Sequence, residues 1–334
     1  MAKKVDPAIA KNLELLKASQ RRSVKKRIWK YRGFYLMVLP IIVLAFVFNY
    51  IPMFGNVYAF TNYNGIKTSQ PLLEYLQEHW VGFANFKKMF STAEFVKAFG
   101  NTLFMSITKL LLNTVAAVIV SLFLNEILNI HFKKIAQTII YLPHFLSWVV
   151  TASVFTMILS PTSAGLVNTV LVNLGIVEKG SEIYFLAKSN WWTFWFFMIN
   201  LWKDTGWGTI IFLATLSGIN PEIYEAGDID GASRFQKMRY ITLPALMNTI
   251  VIVLILDLAK VMNLFESVFV LQNDAVKIST NVLQTYVYYQ TFQSATIANY
   301  GYTTAVGLAK SLVGCALVLI CNWLSKKVRG RGII

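Results

Sequence analysis

The chain has 334 residues, of which 56% are hydrophobic and 14% charged, well below the roughly 25% charged residues of a soluble domain. Its apolar residues fall into blocks of about 20, the length that crosses a bilayer, so composition excludes an ordinary soluble enzyme or binding module and predicts an all-α polytopic membrane protein. The net charge of +15 does not point to nucleic acid, because no soluble segment is long enough to carry a basic face and most of the charge flanks the apolar blocks.

In chain order, residues 1–33 read as a basic, partly amphipathic cytoplasmic helix with Leu13, Leu15 and Leu16 on one side. Such a segment either touches anionic headgroups or serves only as a positive-inside signal. Its length before the first apolar block argues against a cleavable leader. The first span is predicted from Phe34 to Ile51, continuing toward Phe60. Further spans are predicted at about 101–125, 136–159, 191–216, 245–271 and 303–324, making six within a membrane domain of 34–326, followed by a tail at 327–334. The aromatic run from Trp191 to Phe197 reads as an interfacial belt at the outer end of the fourth span.

Six spans place both termini on one side, and the basic N-terminus, the 131–134 loop, the 217–243 loop and the C-terminus all fall there. On the other face Lys67, Lys87, Lys88 and Lys97 are offset by Glu74, Glu78 and Glu94. The positive-inside bias therefore agrees with the span count and puts both termini in the cytoplasm. Cys315 and Cys321 read as small buried hydrophobes, and His79, His131 and His144 have no metal-ligand spacing. No metal site, catalytic set or phosphate-binding Gly-rich loop is expected on this chain.

The loop at 217–243 is the most informative segment. Pro221 suits a helix start, Gly231 a turn at positive φ, and a second short helix at about 232–240 carries Arg234, Lys237 and Arg239. Leu243-Pro244 then redirects the chain into the fifth span. The result is a compact helix–turn–helix at the cytoplasmic surface. In residues and spacing it resembles the EAA loop of bacterial ABC importer permeases, through Glu225-Ala226-Gly227, Gly231, Ile241 and Leu243-Pro244. Gly227 stands where the family usually has Ala, which costs up to about 1 kcal/mol of helix propensity and predicts a looser turn. Gly82-Phe83-Ala84-Asn85-Phe86, Asn101-Thr102 and Tyr141-Leu142-Pro143 are similar to the matching parts of sugar-type permeases.

The resemblance implies the six-span permease fold of type I ABC importers, in a bacterial inner membrane. It implies that Glu225, Ala226, Gly227, Asp230, Gly231, Leu243 and Pro244 belong to the contact with an ATPase subunit. ATP and Mg would be bound by two copies of that separate subunit, with no cofactor on this chain. Expected partners are a second, related permease, an extracytoplasmic solute-binding protein, membrane lipid and a sugar or oligosaccharide.

Ionisable residues inside spans are costly and mark pathways. Asn200, Trp202, Lys203, Asp204, Lys260 and Asn263 are therefore candidates for a polar sugar pathway, and the resemblance implies that Asn200 and Asn263 face it. The plain alternative is an ion-pair network among Asp204, Asp257, Lys203 and Lys260, while Lys109 and Lys310 snorkel or pair. The intramembrane lysines also permit an anionic sugar. Two rival functions are an intramembrane enzyme, which needs clustered acids or His at one face, and an ion-coupled secondary transporter, which leaves the 217–243 loop unexplained.

Overall fold

The computed structural model describes residues 24, 26–65, 72–162, 165–293 and 299–329. The predicted helix at 1–33 and the tail at 327–334 lie largely outside those residues. The chain divides after Val57 into two compact units. In the first, α1 (Arg32–Ala45) continues through a π turn at Phe46–Tyr50 and a short helix at Ile51–Met53. Every side chain of α1 except the half-buried Ala45 is exposed and most are apolar, as suits a lipid-facing helix.

The second unit is built from helices alone among the described residues, with one isolated bridge between Thr61 and Trp80. Two short helices, α2 (Leu72–Glu78) and α3 (Ala84–Ser91), precede α4 (Ala93–Glu126). Asn85 on α3 donates to the carbonyls of Ala59 and Thr61, both at 2.9 Å, so the Gly82–Phe86 motif pins the chain as it leaves the 3-10 segment Phe54–Phe60. Asn101 on α4 donates to Ser279 O and Asn281 O, and Thr102 Oγ1 accepts from Leu283 N. That second motif therefore holds a loop nearly 180 residues away in sequence.

The predicted third span is two helices. α5 (Ile130–Tyr141) runs into a 3-10 turn at Leu142–Phe145, and α6 (Trp148–Ile158) leaves it at 100°. Pro143 cannot donate to the helical ladder, and Ser147 caps α6 by accepting from Val150 N. After α7 (Leu166–Asn173), the 28-residue α8 (Ser189–Leu216) is long enough, at about 42 Å, to cross a bilayer. Its buried stripe runs Trp192, Phe196, Ile199, Asn200, Lys203, Gly206, Thr209, Phe212, Leu216, close to the 3.6-residue period.

That stripe corrects one expectation. Trp192 and Phe196 are 0% and 1% exposed and sit in the core with Leu159, Phe185, Val268 and Val282. Only Trp191 and Phe194 of the aromatic run are exposed in the manner of a belt. Trp192 also donates from Nε1 to Leu271 O at 2.9 Å, which satisfies the indole inside the core.

The fifth span is also shorter than predicted. Helix α9 (Pro221–Ile229) and the one-turn α10 (Arg234–Lys237) lead through a π turn at Met238–Thr242 into α11 (Leu243–Leu258). The chain then breaks at residues 259–265 before α12 (Glu266–Leu271), α13 (Lys277–Thr280) and α14 (Leu283–Phe292). The last helix is α15 (Tyr300–Arg329). Among the described residues four helices are long and apolar enough to cross a membrane, and α5 with α6 makes a fifth if the bent pair is one span. Helix α8 has the length without the same apolarity, because Lys203 and Asp204 lie at its middle.

Candidate functional site

Two features concentrate the polar chemistry. The first is the α9–α10 module. Asn220 caps α9 by accepting from Glu222 N, with Pro221 at the first helical position, where its missing N–H is not needed. Gly231 turns the chain at φ +73, a conformation that costs a side-chain-bearing residue dearly. Ser233 and Gln236 then form a reciprocal capping box that starts α10.

The two helices are stapled together. Lys237 Nζ donates to Asp228 Oδ1, and Tyr224 Oη lies 3.1 Å from the buried Thr242 Oγ1 at the root of α11. A Cβ at Gly227 would meet Ile241 Cδ1 at 3.3 Å and the Lys237 stem at 3.5 Å. The missing methyl therefore lets those side chains close over the helix, and the position expected to be looser is packed. The module leaves the carboxylates of Glu225 and Asp230 and the apolar side chains of Ile223, Ile229 and Phe235 exposed.

The second feature is a cleft of about 480 Å³ between α4, α8 and α11. Its polar wall holds Lys109 and Asn113 from α4, His144 from the 3-10 turn, Asp204 and Trp207 from α8, and Asp257, Lys260 and Asn263 at and beyond the end of α11. Asp204 is 3.4 Å from both Lys109 Nζ and His144 Nδ1. Lys260 lies 3.9 Å from Asp257, three residues earlier. The Trp207 ring is half exposed and stacks on His144, with centroids 4.9 Å apart. An aromatic plate beside amides and paired charges suits a ligand with apolar ring faces and many hydroxyls.

The six predicted pathway residues divide between this cleft and its frame. Asp204, Lys260 and Asn263 line the cleft. Asn200 and Lys203 do not, because the period of α8 turns them into the packed stripe while Asp204 and Trp207 turn outward. Asn200 is fully buried and donates to Phe196 O. Lys203 donates to His144 O at 2.9 Å, to Leu146 O, and to Pro143 O at 3.4 Å, and its ammonium sits 5.5 Å from the Trp148 ring. Pro143 O also accepts from Leu146 N in the 3-10 turn, so Lys203 adds a second donor there and serves His144 O and Leu146 O at the break between α5 and α6. Trp202 does not line the cleft either; it is partly exposed and packs edge-on against Phe155 behind the wall.

Lys109, expected to snorkel or pair, pairs with Asp204 in the cleft wall, while Asn113 and His144 are cleft residues that sequence reasoning did not assign to it. A 3.6-residue period from Asn113 back to Lys109 was the available signal. His144 could not be found that way, since its direction depends on the 100° break. Among the described residues no group of acids, His and Cys could hold a metal.

Residues 113–330 match the family described as "Binding-protein-dependent transport system inner membrane component". Along its length the chain is similar to Protein LplB of Bacillus subtilis strain 168, with 37% identity over 300 residues, 90% of each chain. It is similar to the polygalacturonan/rhamnogalacturonan transport system permease protein YteP of the same organism, with 35% identity over 320 residues, 96% of this chain and 95% of the relative. Among solved structures it resembles a chain of a bacterial ABC transporter involved in the import of the acidic polysaccharide alginate. That match has a TM-score of 0.81 and 32% identity, covering 92% of this chain and 99% of the other. The chain thus belongs to the inner-membrane components of binding-protein-dependent transport systems, as a permease subunit of an importer rather than an enzyme.

Proposed function

We propose that this permease carries an oligosaccharide, delivered by an extracytoplasmic binding protein, across the cytoplasmic membrane of a bacterium. The observation that carries the reading is the cleft wall of Trp207, Asn113, Asn263 and paired charges, which offers a stacking face and hydrogen-bond partners to a hydroxyl-rich chain. The names of the relatives support it, since two of them are described by polysaccharides.

In this reading Asp204, Lys260 and Asn263 touch the substrate, while Asn200, Lys203 and Trp202 hold the wall in place. Six spans, with α8 as the fourth, keep both termini in the cytoplasm. The α9–α10 module seats in a separate ATPase, with Glu225, Ala226, Gly227, Asp230 and Gly231 at the contact and Leu243-Pro244 passing its movement into α11. Two ATPase copies supply ATP and Mg binding, and a second, non-identical permease completes the pathway. Transport follows from alternating access, because ATP and substrate each favour one of two arrangements of the same bundle.

The test is purification of the tagged chain from its native cells in mild detergent, with co-purifying proteins identified by mass spectrometry. A P-loop ATPase together with a second permease is the expected result. A chain that purifies alone and transports without ATP would make it a secondary transporter.

A further inference from the structure

Each lysine inside a span needs something to offset its loss of water. Lys109 has Asp204, Lys203 has three carbonyls, and Lys260 has Asp257. Lys310 has no acidic partner among the described residues. Its ammonium donates to Asn263 Oδ1 at 2.9 Å and lies 3.2 Å from the amide oxygen of Gln284, in the orientation that also lets Gln284 donate to Asn263 O. Both partners are neutral. Lys310 is about 15 Å along α15 from Tyr300, near the middle of a hydrocarbon layer about 30 Å thick.

The ammonium borders a second cleft, of about 430 Å³, lined by Met262, Asn263, Ser311, Gly314, Cys315 and Val318 among others. Small residues keep it open, and a Cβ added at Gly314, one turn from Lys310, would meet nothing within 4 Å. Asn263 lines this cleft and the larger one alike, so the two share a wall. With Asn263 Oδ1 engaged by Lys310, the amide N–H groups of Asn263 remain available as donors beside the ammonium.

We propose that Lys310 and Asn263 form a carboxylate-reading site, so that the substrate is an acidic oligosaccharide built of uronic acid units. The site rests on the oligosaccharide reading above and narrows it. A carboxylate would accept from the ammonium and from the Asn263 amide, two charge-assisted hydrogen bonds that a neutral sugar cannot replace. The Lys310 ammonium is directed to Asn263 and Gln284.

The experiment uses the complete transporter in proteoliposomes, with its binding protein, and compares uptake of trigalacturonate with that of its fully methyl-esterified form. In Lys310→Met the ratio of acid to ester uptake should fall about tenfold or more relative to the unaltered protein, and Lys310→Arg should keep most of it. The binding protein's own preference cancels in that comparison. An unchanged ratio in Lys310→Met would overturn the carboxylate site while leaving oligosaccharide transport standing. Loss of the second permease from the Lys310→Met complex would also overturn it, because Lys310 would then be a subunit contact. If the unaltered transporter takes up neither compound but imports a neutral oligosaccharide, the carboxylate site falls and the oligosaccharide reading stands.

Discussion

Lys203 donates to the carbonyl of His144 at 2.9 Å, and so ties the middle of α8 to the point where α5 and α6 part at 100°. A cation that looks like a substrate ligand in the sequence is spent on backbone instead. Replacing it by Met removes the donor that α8 supplies to the carbonyls of Pro143, His144 and Leu146. Unsatisfied buried polar groups cost about 1–3 kcal/mol each, so Lys203→Met should lower the melting temperature of the detergent-solubilised transporter clearly, and Lys203→Arg less. An unchanged melting temperature in the Met variant would mean that water reaches the turn.

Asp204 is held between Lys109 and His144, and neutralising it strands Lys109 in the cleft. We expect Asp204→Asn to slow transport at least several-fold with the complex still assembled. The charge exchange Lys109→Asp with Asp204→Lys should recover part of the rate, as coupled pairs do in double-mutant cycles. Two losses that simply add would show that the pair carries no coupling.

Gly206 marks the closest approach of α8 to α5, where an added Cβ would lie 2.3 Å from Ile140 O and 3.0 Å from Tyr141 Cα. Backbone cannot swing aside like a flexible side chain. Gly206→Ala should therefore destabilise by about 1–3 kcal/mol, read as lost folded yield and a lower melting temperature. Gly307→Ala on α15, where nothing lies within 4 Å, is the control and should be neutral or slightly stabilising.

If the α9–α10 module is the ATPase contact, Glu225→Arg reverses a charge on its exposed face without touching the Lys237–Asp228 staple. Substrate-stimulated ATP hydrolysis should fall about tenfold or more while the binding protein still docks. Hydrolysis and transport both at the original rate would remove this face from the contact.

Much of the module was legible because its local chemistry is written in adjacent residues. Pro221 at the helix start and Gly231 at positive φ follow from backbone sterics alone. The apolar blocks likewise marked four long helices by length and hydropathy. What stayed hidden depends on distances between elements. Pro143 was visible, but nothing nearby in sequence says that the chain turns through 100° there, or that Lys203 lies waiting 60 residues later. The partner of Asp204 was equally out of reach, since Lys109, Lys203 and Lys260 are alike in sequence and only packing chooses among them. Trp192 and Phe196 misled for the opposite reason, because an aromatic run suits a headgroup layer and a packed core equally well.

The composition of α8 has a consequence for how the chain enters the bilayer during synthesis. A segment with Lys203 and Asp204 at its centre is poorly retained in lipid on its own account, since each charge there costs about 2.5–3.5 kcal/mol on insertion scales. Its compensating groups are already made when it emerges: Lys109 belongs to α4, and the carbonyls of Pro143, His144 and Leu146 to the turn before α6. Order of synthesis thus supplies the partners first, and α8 is held in the membrane by its predecessors rather than by its own hydropathy.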